Sequence, residues 1–371
     1  MYRMKNIFVF VLMAATFLFA ATANSNPQVN QSKHNENQQH INGAVSPNQY
    51  FYNMVQAVKK INYRGILVFN SIAPGDGTIS ALEIVHRNQE QKEVKISSID
   101  GRPVSIYRKN NKIKEVLGGK HQVQRIINNP FENFCANTLN QEQLSQNYAI
   151  DFKKDSVTAG RDVKVIMLTP KNQQVYGYSF YIDKENYMPL KMDYIHNNGT
   201  SINSYMFVDI EYPEQLAQKD MEIDQKGKVV MPEDISEMEV KTKSENPDVL
   251  ELPSEKHEPN WSVDYLPEGF SLFDHGTTKF NEKHDKVEHF VFSDGIALIS
   301  VYIEKVPEHQ IFRGSSIKGA MSAFGTVKDG YQVVVVGKVP VVTLEKVGNS
   351  VQKKTQENVQ KEVHEINKEK R

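Results

Sequence analysis

Nine short segments between residues 65 and 210 alternate apolar and polar side chains with a period of two. This period is typical of strands that bury one face, because successive side chains of a strand point to opposite sides. Turn-forming pairs such as Asp100-Gly101 and Gly118-Gly119 separate them. The pattern predicts an antiparallel sheet or barrel. The segments are Gly65–Asn70, Ile79–Arg87, Glu93–Ile99, Val104–Arg108, Ile113–Leu117, Asp162–Leu168, Val175–Ile182, Leu190–Ile195 and Ser204–Ile210.

The charge balance argues against a nucleic-acid-binding protein. The chain has 371 residues with 44 Lys and Arg against 45 Asp and Glu, so it has no overall positive field to attract a polyanion. Its 24% charged and 39% hydrophobic content excludes a coiled coil, a collagen and a multi-span membrane protein. The single cysteine, Cys135, excludes an internal disulfide and is predicted to be a small buried side chain.

The first 23 residues have the pattern of a cleaved signal peptide. Arg3 and Lys5 precede an apolar run, and Ala21-Thr22-Ala23 follows it as a cleavage site. The run is shorter than the ~20 residues that a spanning helix needs, which disfavours the alternative of a membrane anchor. Export through the Sec system and a periplasmic location are therefore expected.

The remaining chain divides into five predicted parts. Residues 24–49 form an Asn/Gln-rich, flexible lead-in, and residues 50–210 form the sheet domain, which opens with an amphipathic helix at Tyr50–Val58. Residues 211–258 contain 14 acidic and 6 basic residues with little periodicity, which indicates an acidic linker. Residues 259–349 form a small α+β domain, and residues 350–371 form a charged tail.

Two parts of this division have internal predictions. Residues 128–147 lack alternation and are expected to be helical or irregular and to cover one face of the sheet. The small domain has three strand-like segments and a helical or loop section at Gly314–Gly325. The strand-like segments are Glu288–Phe292, Ala297–Glu304 and Tyr331–Val336.

No motif supports catalysis. His284 and His289 are one residue too far apart for a zinc-protease pair, and on a strand they fall on opposite faces. Ser315 and Lys318 match S-x-x-K, but the companion motifs of that enzyme class are missing. We therefore expect no catalytic residues, no metal site and no cofactor.

Several segments in a fixed order resemble the RseB/MucB family, over about residues 50–349. In the small domain they are Trp261-x4-Leu266-Pro267-x-Gly269-Phe270, Phe292-Ser293-Asp294-Gly295-x-Ala297-x2-Ser300-Val301-Tyr302 and Val333–Pro340. In the large domain they are Tyr63–Phe69, the Asp100-Gly101 turn, Tyr178–Asp183 and Met188–Lys191. The resemblance implies an α+β fold, mainly β: an unclosed antiparallel barrel like that of LolA and LolB, with covering helices, followed by a small α+β domain.

The resemblance implies a periplasmic regulator rather than an enzyme. Such a protein binds the periplasmic domain of the single-span anti-sigma factor RseA, shields it from the protease DegS and restrains sigma-E. Lipopolysaccharide or lipoprotein acyl chains are implied as ligands of the large domain. The alternative is a lipid or lipoprotein carrier, or envelope chaperone, of LolA type. Self-association is left open.

The candidate site residues combine this resemblance with the alternation. Ten apolar residues are candidates for a lipid cavity, with ordinary core as the competing interpretation: Leu67, Phe69, Leu82, Ile84, Val94, Ile96, Val165, Met167, Phe180 and Met192. Trp261, Leu266 and Phe270 mark the partner-binding small domain.

Overall fold

The computed structural model describes residues 45–71, 78–99, 104–110, 112–117, 130–137, 141–223, 259–278, 287–306 and 311–354. The predicted signal peptide, most of the lead-in and linker, and the tail beyond residue 354 lie outside the described residues. The described chain forms two compact units. The larger contains residues between 45 and 223 except 172–175, and the smaller contains 172–175 and residues from 259 to 354.

The large unit is built on one open antiparallel sheet of eleven strands. Its order is β5-β4-β3-β2-β1-β11-β10-β9-β8-β6, with β7 paired to β8. Because the order has two ends, the sheet is unclosed, as predicted. The strands are β1 Tyr63–Ser71, β2 Thr78–Asn88, β3 Lys92–Ser98, β4 Ser105–Lys109, β5 Lys112–Leu117, β6 Tyr148–Phe152, β7 Ser156–Thr158, β8 Arg161–Pro170, β9 Gly177–Asp183, β10 Pro189–Ile195 and β11 Ser201–Glu211.

All nine predicted segments coincide with strands, and the two short strands β6 and β7 were not predicted. Both are short and lie at one end of the sheet: β7 has a single apolar side chain, and β6 is apolar at four of its five positions, so neither shows alternation. Val157, in β7, is 63% exposed.

The described helices that precede β11 in this unit are α1 Pro47–Lys60, α2 Pro130–Asn137 and α3 Gln141–Asn147. Helix α1 begins three residues before the predicted start, because Ser46 caps it by accepting a hydrogen bond from the Gln49 amide at 3.2 Å. Pro47 suits the first turn, where a missing N–H leaves no bond unmade. The buried face of α1 contains Phe51, Met54 and Val58.

Residues 211–223 differ from the predicted linker, because they pack on the sheet. Glu211 ends β11, and α4 Gln218–Met221 follows. Leu216, Met221 and Ile223 are buried with Val85 and Tyr107 in one apolar cluster. Three apolar side chains in an acidic stretch are too few to produce a periodic pattern, yet they suffice to fix the segment. We call residues 212–223 the strap.

The small unit has a six-stranded antiparallel sheet in the order β13-β14-β15-β18-β17-β16 and a separate pair, β12 with β19. Helix α5 Val341–Ser350 lies against β17 and β18, where the Gly348 position closely approaches the Phe324 ring. The strands are β12 Trp261–Val263, β13 Ser271–Thr278, β14 Val287–Ser293, β15 Leu298–Lys305, β16 Gly314–Lys318, β17 Met321–Lys328, β18 Tyr331–Gly337 and β19 Val351–Lys353.

Two predictions for this unit were wrong. The section Gly314–Gly325, predicted as helix or loop, is the β16–β17 hairpin, whose two-residue turn uses Gly319 at φ +58°. Gly325 is required there, since a Cβ would stand 2.3 Å from the Phe312 carbonyl oxygen. The first residues of the predicted tail form β19, which pairs with β12.

Candidate functional site

The strand register places eight of the ten lipid-cavity candidates on one face of the large sheet. Directly paired residues share a face, and the pairs Leu67 with Leu82, Ile84 with Ile96 and Phe180 with Met192 establish it. Val94 and Phe69 follow by alternation along β3 and β1. Helices α1 and α2 lie on this face, which we call the covered face; the opposite one is the outer face.

Val165 and Met167 are the exceptions, and placing them with the others was wrong. Val165 pairs with Tyr181 and Met167 pairs with Ser179, so both lie on the outer face. Their neighbours Ile166 and Leu168 lie on the covered face and are fully buried. Strand β8 is apolar on both sides, and alternation alone does not tell which side of such a strand is covered.

The covered face is packed with aromatic rings from the sheet and the helices. Phe134 of α2 contacts the ring of Phe180 at 4.7 Å, and Phe51 of α1 contacts the same ring at 5.8 Å. Phe131 of α2 stacks on Phe207 of β11 at 5.6 Å. Leu67, Ile84, Val94, Ile96, Phe180 and Met192 are each at most 2% exposed.

The same side chains can therefore serve as core or as ligand surface, depending on the helices. In the described conformation they are core. An acyl chain would gain about 0.8 kcal/mol for each CH₂ that it buries among them, but it would first have to displace ring contacts made by α1 or α2. Helix α2, with eight residues, makes the smaller cover of the two.

An ionic cluster fixes α2 to the sheet. Arg108 of β4 donates a hydrogen bond from Nη2 to Oε2 of Glu132 at 2.6 Å, and Lys92 Nζ lies 3.9 Å from the same oxygen. His86 Nε2 lies 3.7 Å from Glu132 Oε1. Both of these last two atoms are buried, and neither has a hydrogen-bond partner among the described residues. We call this group the Glu132 cluster.

Burial and charge shift the pKa values in this cluster. Burial alone would raise the pKa of Glu132, but the positive charges of Lys92 and Arg108 and the proximity of His86 lower it to about 2. Burial lowers the pKa of His86 below its ordinary value, against the opposing effect of Glu132. At neutral pH the cluster therefore holds a carboxylate and a neutral imidazole. Cys135, also in α2, is buried as predicted, and burial raises its pKa to about 12.

A second glutamate is buried on the outer face of the same strands. Glu93 of β3 accepts hydrogen bonds from the guanidinium of Arg87 and from the Tyr107 hydroxyl. Arg87 also donates to the strap, from Nη1 to the Leu216 carbonyl at 3.2 Å and from Nη2 to Gln218 Oε1 at 2.6 Å. This Glu93 cluster joins the strap to the sheet.

The three landmark residues of the small unit take part in its internal packing. Trp261 is 3% exposed and its ring contacts Tyr331 at 5.0 Å, so it attaches β12 to the main sheet. Phe270 is buried, and Leu266 is half-buried. None of the three offers a large exposed surface to a partner.

The histidine and serine motifs do not form reactive sites. Glu288 and His289 lie on opposite faces of β14: Glu288 bonds the Asn260 amide at 2.9 Å, and His289 stacks on Tyr302. His284 lies outside the described residues. Burial, aided by the charge of His275, lowers the pKa of His289 to about 3. Within the described ranges, no three His, Cys, Asp or Glu side chains are grouped so as to hold a metal ion.

Ser315 and Lys318 are three residues apart on a strand and point to opposite faces, and Ser315 Oγ donates to Glu345. In the part of the chain that the structure describes, no helix has the length and apolar character needed to cross a membrane.

Comparison with known proteins gives matches over both units. The MucB/RseB N-terminal domain matches residues 46–225, and the MucB/RseB C-terminal domain matches residues 255–352. The sigma factor AlgU regulatory protein MucB of Pseudomonas aeruginosa is 24% identical over 321 residues, which are 83% of this chain and 91% of that protein. The sigma-E factor regulatory protein RseB of Haemophilus influenzae is 23% identical over 310 residues, with the same two coverages.

A solved structure shows the same fold. The crystal structure of MucB in complex with MucA(peri) superimposes with a TM-score of 0.63 at 20% identity, covering 84% of this chain and 100% of that one. Both domain matches occur in order and together span most of the described residues. This chain therefore belongs to the MucB/RseB family.

Proposed function

We propose that the protein is a periplasmic regulator that binds the periplasmic domain of an RseA-type anti-sigma factor. Bound there, it protects that factor from a DegS-type protease and so restrains the sigma-E envelope stress response. Acyl chains of lipopolysaccharide or of lipoproteins act as the signal by entering the covered face of the large unit. The protein acts by binding rather than by catalysis.

One observation carries the proposal: both domains of the family are present, in order. A carrier of LolA type needs a sheet that binds lipid but has no evident need for a second domain. The relatives are named as regulators of sigma factors, and the solved MucB complex contains MucA(peri). The signal-peptide pattern of residues 1–23 agrees with a periplasmic location.

The lipid step is supported by the composition of the covered face and by its cover. Release of the partner requires that lipid prefer a conformation with lower affinity for the anti-sigma factor. Helix α2 could provide that difference, since Phe131 and Phe134 occupy the apolar surface that an acyl chain would take.

The test uses residues 24–371 and the periplasmic domain of the RseA-type protein from the same organism. We expect a stable complex by isothermal titration calorimetry, slower cleavage of the partner by DegS, and weaker binding when short-chain lipopolysaccharide is added. Complex formation without protection would contradict the protective role. Lipid uptake without any complex would favour the carrier.

A pair of variants tests the lipid site. Phe134→Ala opens space beneath α2 and should change the affinity for a fluorescent fatty acid at least threefold, whereas Val157→Ala, at a 63% exposed position of the same unit, should not. Equal effects of the two variants would argue against binding at the covered face.

A further inference from the structure

The two edges of the small unit's sheet differ. Strand β13 forms one edge and contains a bulge between Leu272 and Asp274, followed by His275. Bulges and inward or nearby charges are common means of protecting an edge from further pairing. Strand β16 forms the other edge and pairs with β17 in unbroken register from Gly314 to Lys318. It has neither a bulge nor a proline.

The hairpin geometry indicates which backbone groups of β16 point away from β17. Lys318 and Met321 flank the two-residue turn and therefore form a hydrogen-bonded pair. Bonded and non-bonded pairs alternate along an antiparallel ladder, so Ser315 and Ile317 belong to non-bonded pairs. Their N–H and C=O groups are directed to the open side of the strand.

Exposed aliphatic side chains lie beside this edge. Ile317 of β16 is 56% exposed, and Val342 in the first turn of α5 is 57% exposed. The bond from Ser315 to Glu345 joins β16 to α5, and Ile317 shares the face of Ser315 while Val342 precedes Glu345 by one helical turn. These two side chains can pack against an apolar residue of an added strand.

The charges around the edge are mostly positive. Arg313 is exposed immediately before β16, and Lys318 ends it, whereas the Lys346 ammonium on α5 lies over the Tyr265 ring. The carboxylate of Glu345 on α5 accepts the Ser315 hydrogen bond. Such an edge favours an acidic peptide, with the main chain supplying hydrogen bonds and the charges supplying orientation.

We propose that β16 binds an extended, acidic segment of the anti-sigma factor's periplasmic domain as a seventh strand of the small sheet. The inference rests on the proposed function, because it names the surface through which that partner is bound. The added strand runs along Ser315 and Ile317, and its apolar residue contacts Ile317 and Val342.

The experiment measures the affinity of the partner's periplasmic domain for five variants of the mature chain, three test variants and two controls. Ile317→Thr and Val342→Thr remove aliphatic contacts, and Leu272→Thr is the matched control, since Leu272 is 55% exposed on the opposite edge. Ser315→Pro removes an outward N–H without touching the ladder to β17. Ser315→Ala, which loses only the hydroxyl, is its control. Fluorescence of Trp261, buried in the same unit, reports whether each variant is folded.

We expect Ile317→Thr and Ser315→Pro to weaken binding at least tenfold and Val342→Thr about threefold, with both controls within twofold of the wild type. Binding should also weaken as NaCl rises from 50 to 300 mM. In the complex, the amides of residues 315 and 317 should gain protection from hydrogen exchange.

The outcomes separate this inference from the proposed function. A wild type that does not bind the partner overturns both. A wild type that binds, with Ile317→Thr and Ser315→Pro no weaker than their controls, overturns only the β16 surface. If the same variants instead abolish self-association of the chain and leave partner binding intact, the edge joins two copies and the inference is wrong.

Discussion

The Glu132 cluster and the Glu93 cluster bury a glutamate on opposite faces of the same three strands. Neighbouring residues of each strand take part: His86 and Arg87 of β2 lie on the two faces, as do Arg108 and Tyr107 of β4. Glu93 is held by a guanidinium and a hydroxyl. Among the described residues, Glu132 Oε1 has no hydrogen-bond partner, and neither has His86 Nε2, which lies 3.7 Å from it.

This difference separates a permanent attachment from a releasable one. A fully hydrogen-bonded buried charge pair is costly to break, because each group then lacks both its partner and water. A pair in which one carboxylate oxygen already lacks a hydrogen bond loses less free energy when it is broken. The strap should therefore stay on the outer face while α2 opens from the covered face, which is the motion that the proposed entry of lipid would require.

The largest effect is expected for Glu93→Gln. The substitution leaves the buried Arg87 guanidinium without a counter-charge, which should lower the free energy of unfolding by about 3–5 kcal/mol in urea. Glu83→Gln on the neighbouring β2 is the control, since that side chain is 41% exposed and should change stability by about 0.5 kcal/mol or less. Comparable losses in both variants would show that burial of the Glu93 cluster does not matter.

Glu132→Gln should have a smaller effect. It removes a charged hydrogen bond to Arg108 but also an unsatisfied oxygen, so we expect about 2 kcal/mol. Hydrogen exchange should speed up in α2 and remain unchanged in the strap. Glu142→Gln, exposed on the adjacent α3, is the control. A loss as large as that of Glu93→Gln would remove the proposed distinction between the clusters.

The next smaller effect is expected from a change of pH. Lowering the pH should weaken the Glu132 cluster more than the Glu93 cluster, because of the two only the Glu132 cluster contains a histidine. The pKa of His86 is lowered in the folded state. Below pH 6.5 the unfolded or opened chain therefore takes up a proton that the folded chain does not. The free energy of unfolding, or of opening α2, is highest above pH 6.5 and decreases as the pH falls. The loss at pH 5.5 should be about 1 kcal/mol.

Hydrogen exchange of α2 at pH 7 and pH 5.5 measures this effect within the large unit. His86→Asn, which keeps a donor toward the Ile61 carbonyl, should flatten the pH dependence. His196→Asn, in the β10–β11 turn, should leave it as in the wild type. If α2 becomes better protected in acid, protonated His86 bonds Glu132 and the sign of this prediction is wrong.

How well a feature could be predicted depends on how close together in the sequence the residues that determine it lie. Most of the sheet could be predicted because alternation is a local signal that recurs in nine of its eleven strands. The face of Val165 and Met167 could not, because β8 is apolar on both sides. The β16–β17 hairpin was missed because a glycine-rich stretch fits a loop as well as a tight turn.

The two clusters could not be predicted at all. His86 and Glu132 are 46 positions apart, and their contact depends on where α2 lies on the sheet. The strap has no periodicity, and its attachment depends on Arg87 reaching the Leu216 carbonyl from a strand more than a hundred residues earlier. A signal did exist in the isolated apolar residues Leu216, Met221 and Ile223, which an acidic linker exposed to water would not need.

The smallest effect is expected at the surface pair where the strap begins. Arg64 donates from Nη2 to Glu211 Oε2 at 2.8 Å, but the two side chains are 43% and 59% exposed. Water screens such a pair, so Glu211→Gln should lower stability by about 0.5 kcal/mol or less, and 0.5 M NaCl should reduce even that difference. Urea unfolding of Glu211→Gln beside Glu93→Gln makes the comparison directly. A loss above about 2 kcal/mol for Glu211→Gln would mean that the strap is held at its exposed start. The small loss expected here would instead place its attachment at the buried guanidinium and the apolar cluster, leaving α2 as the cover that can open.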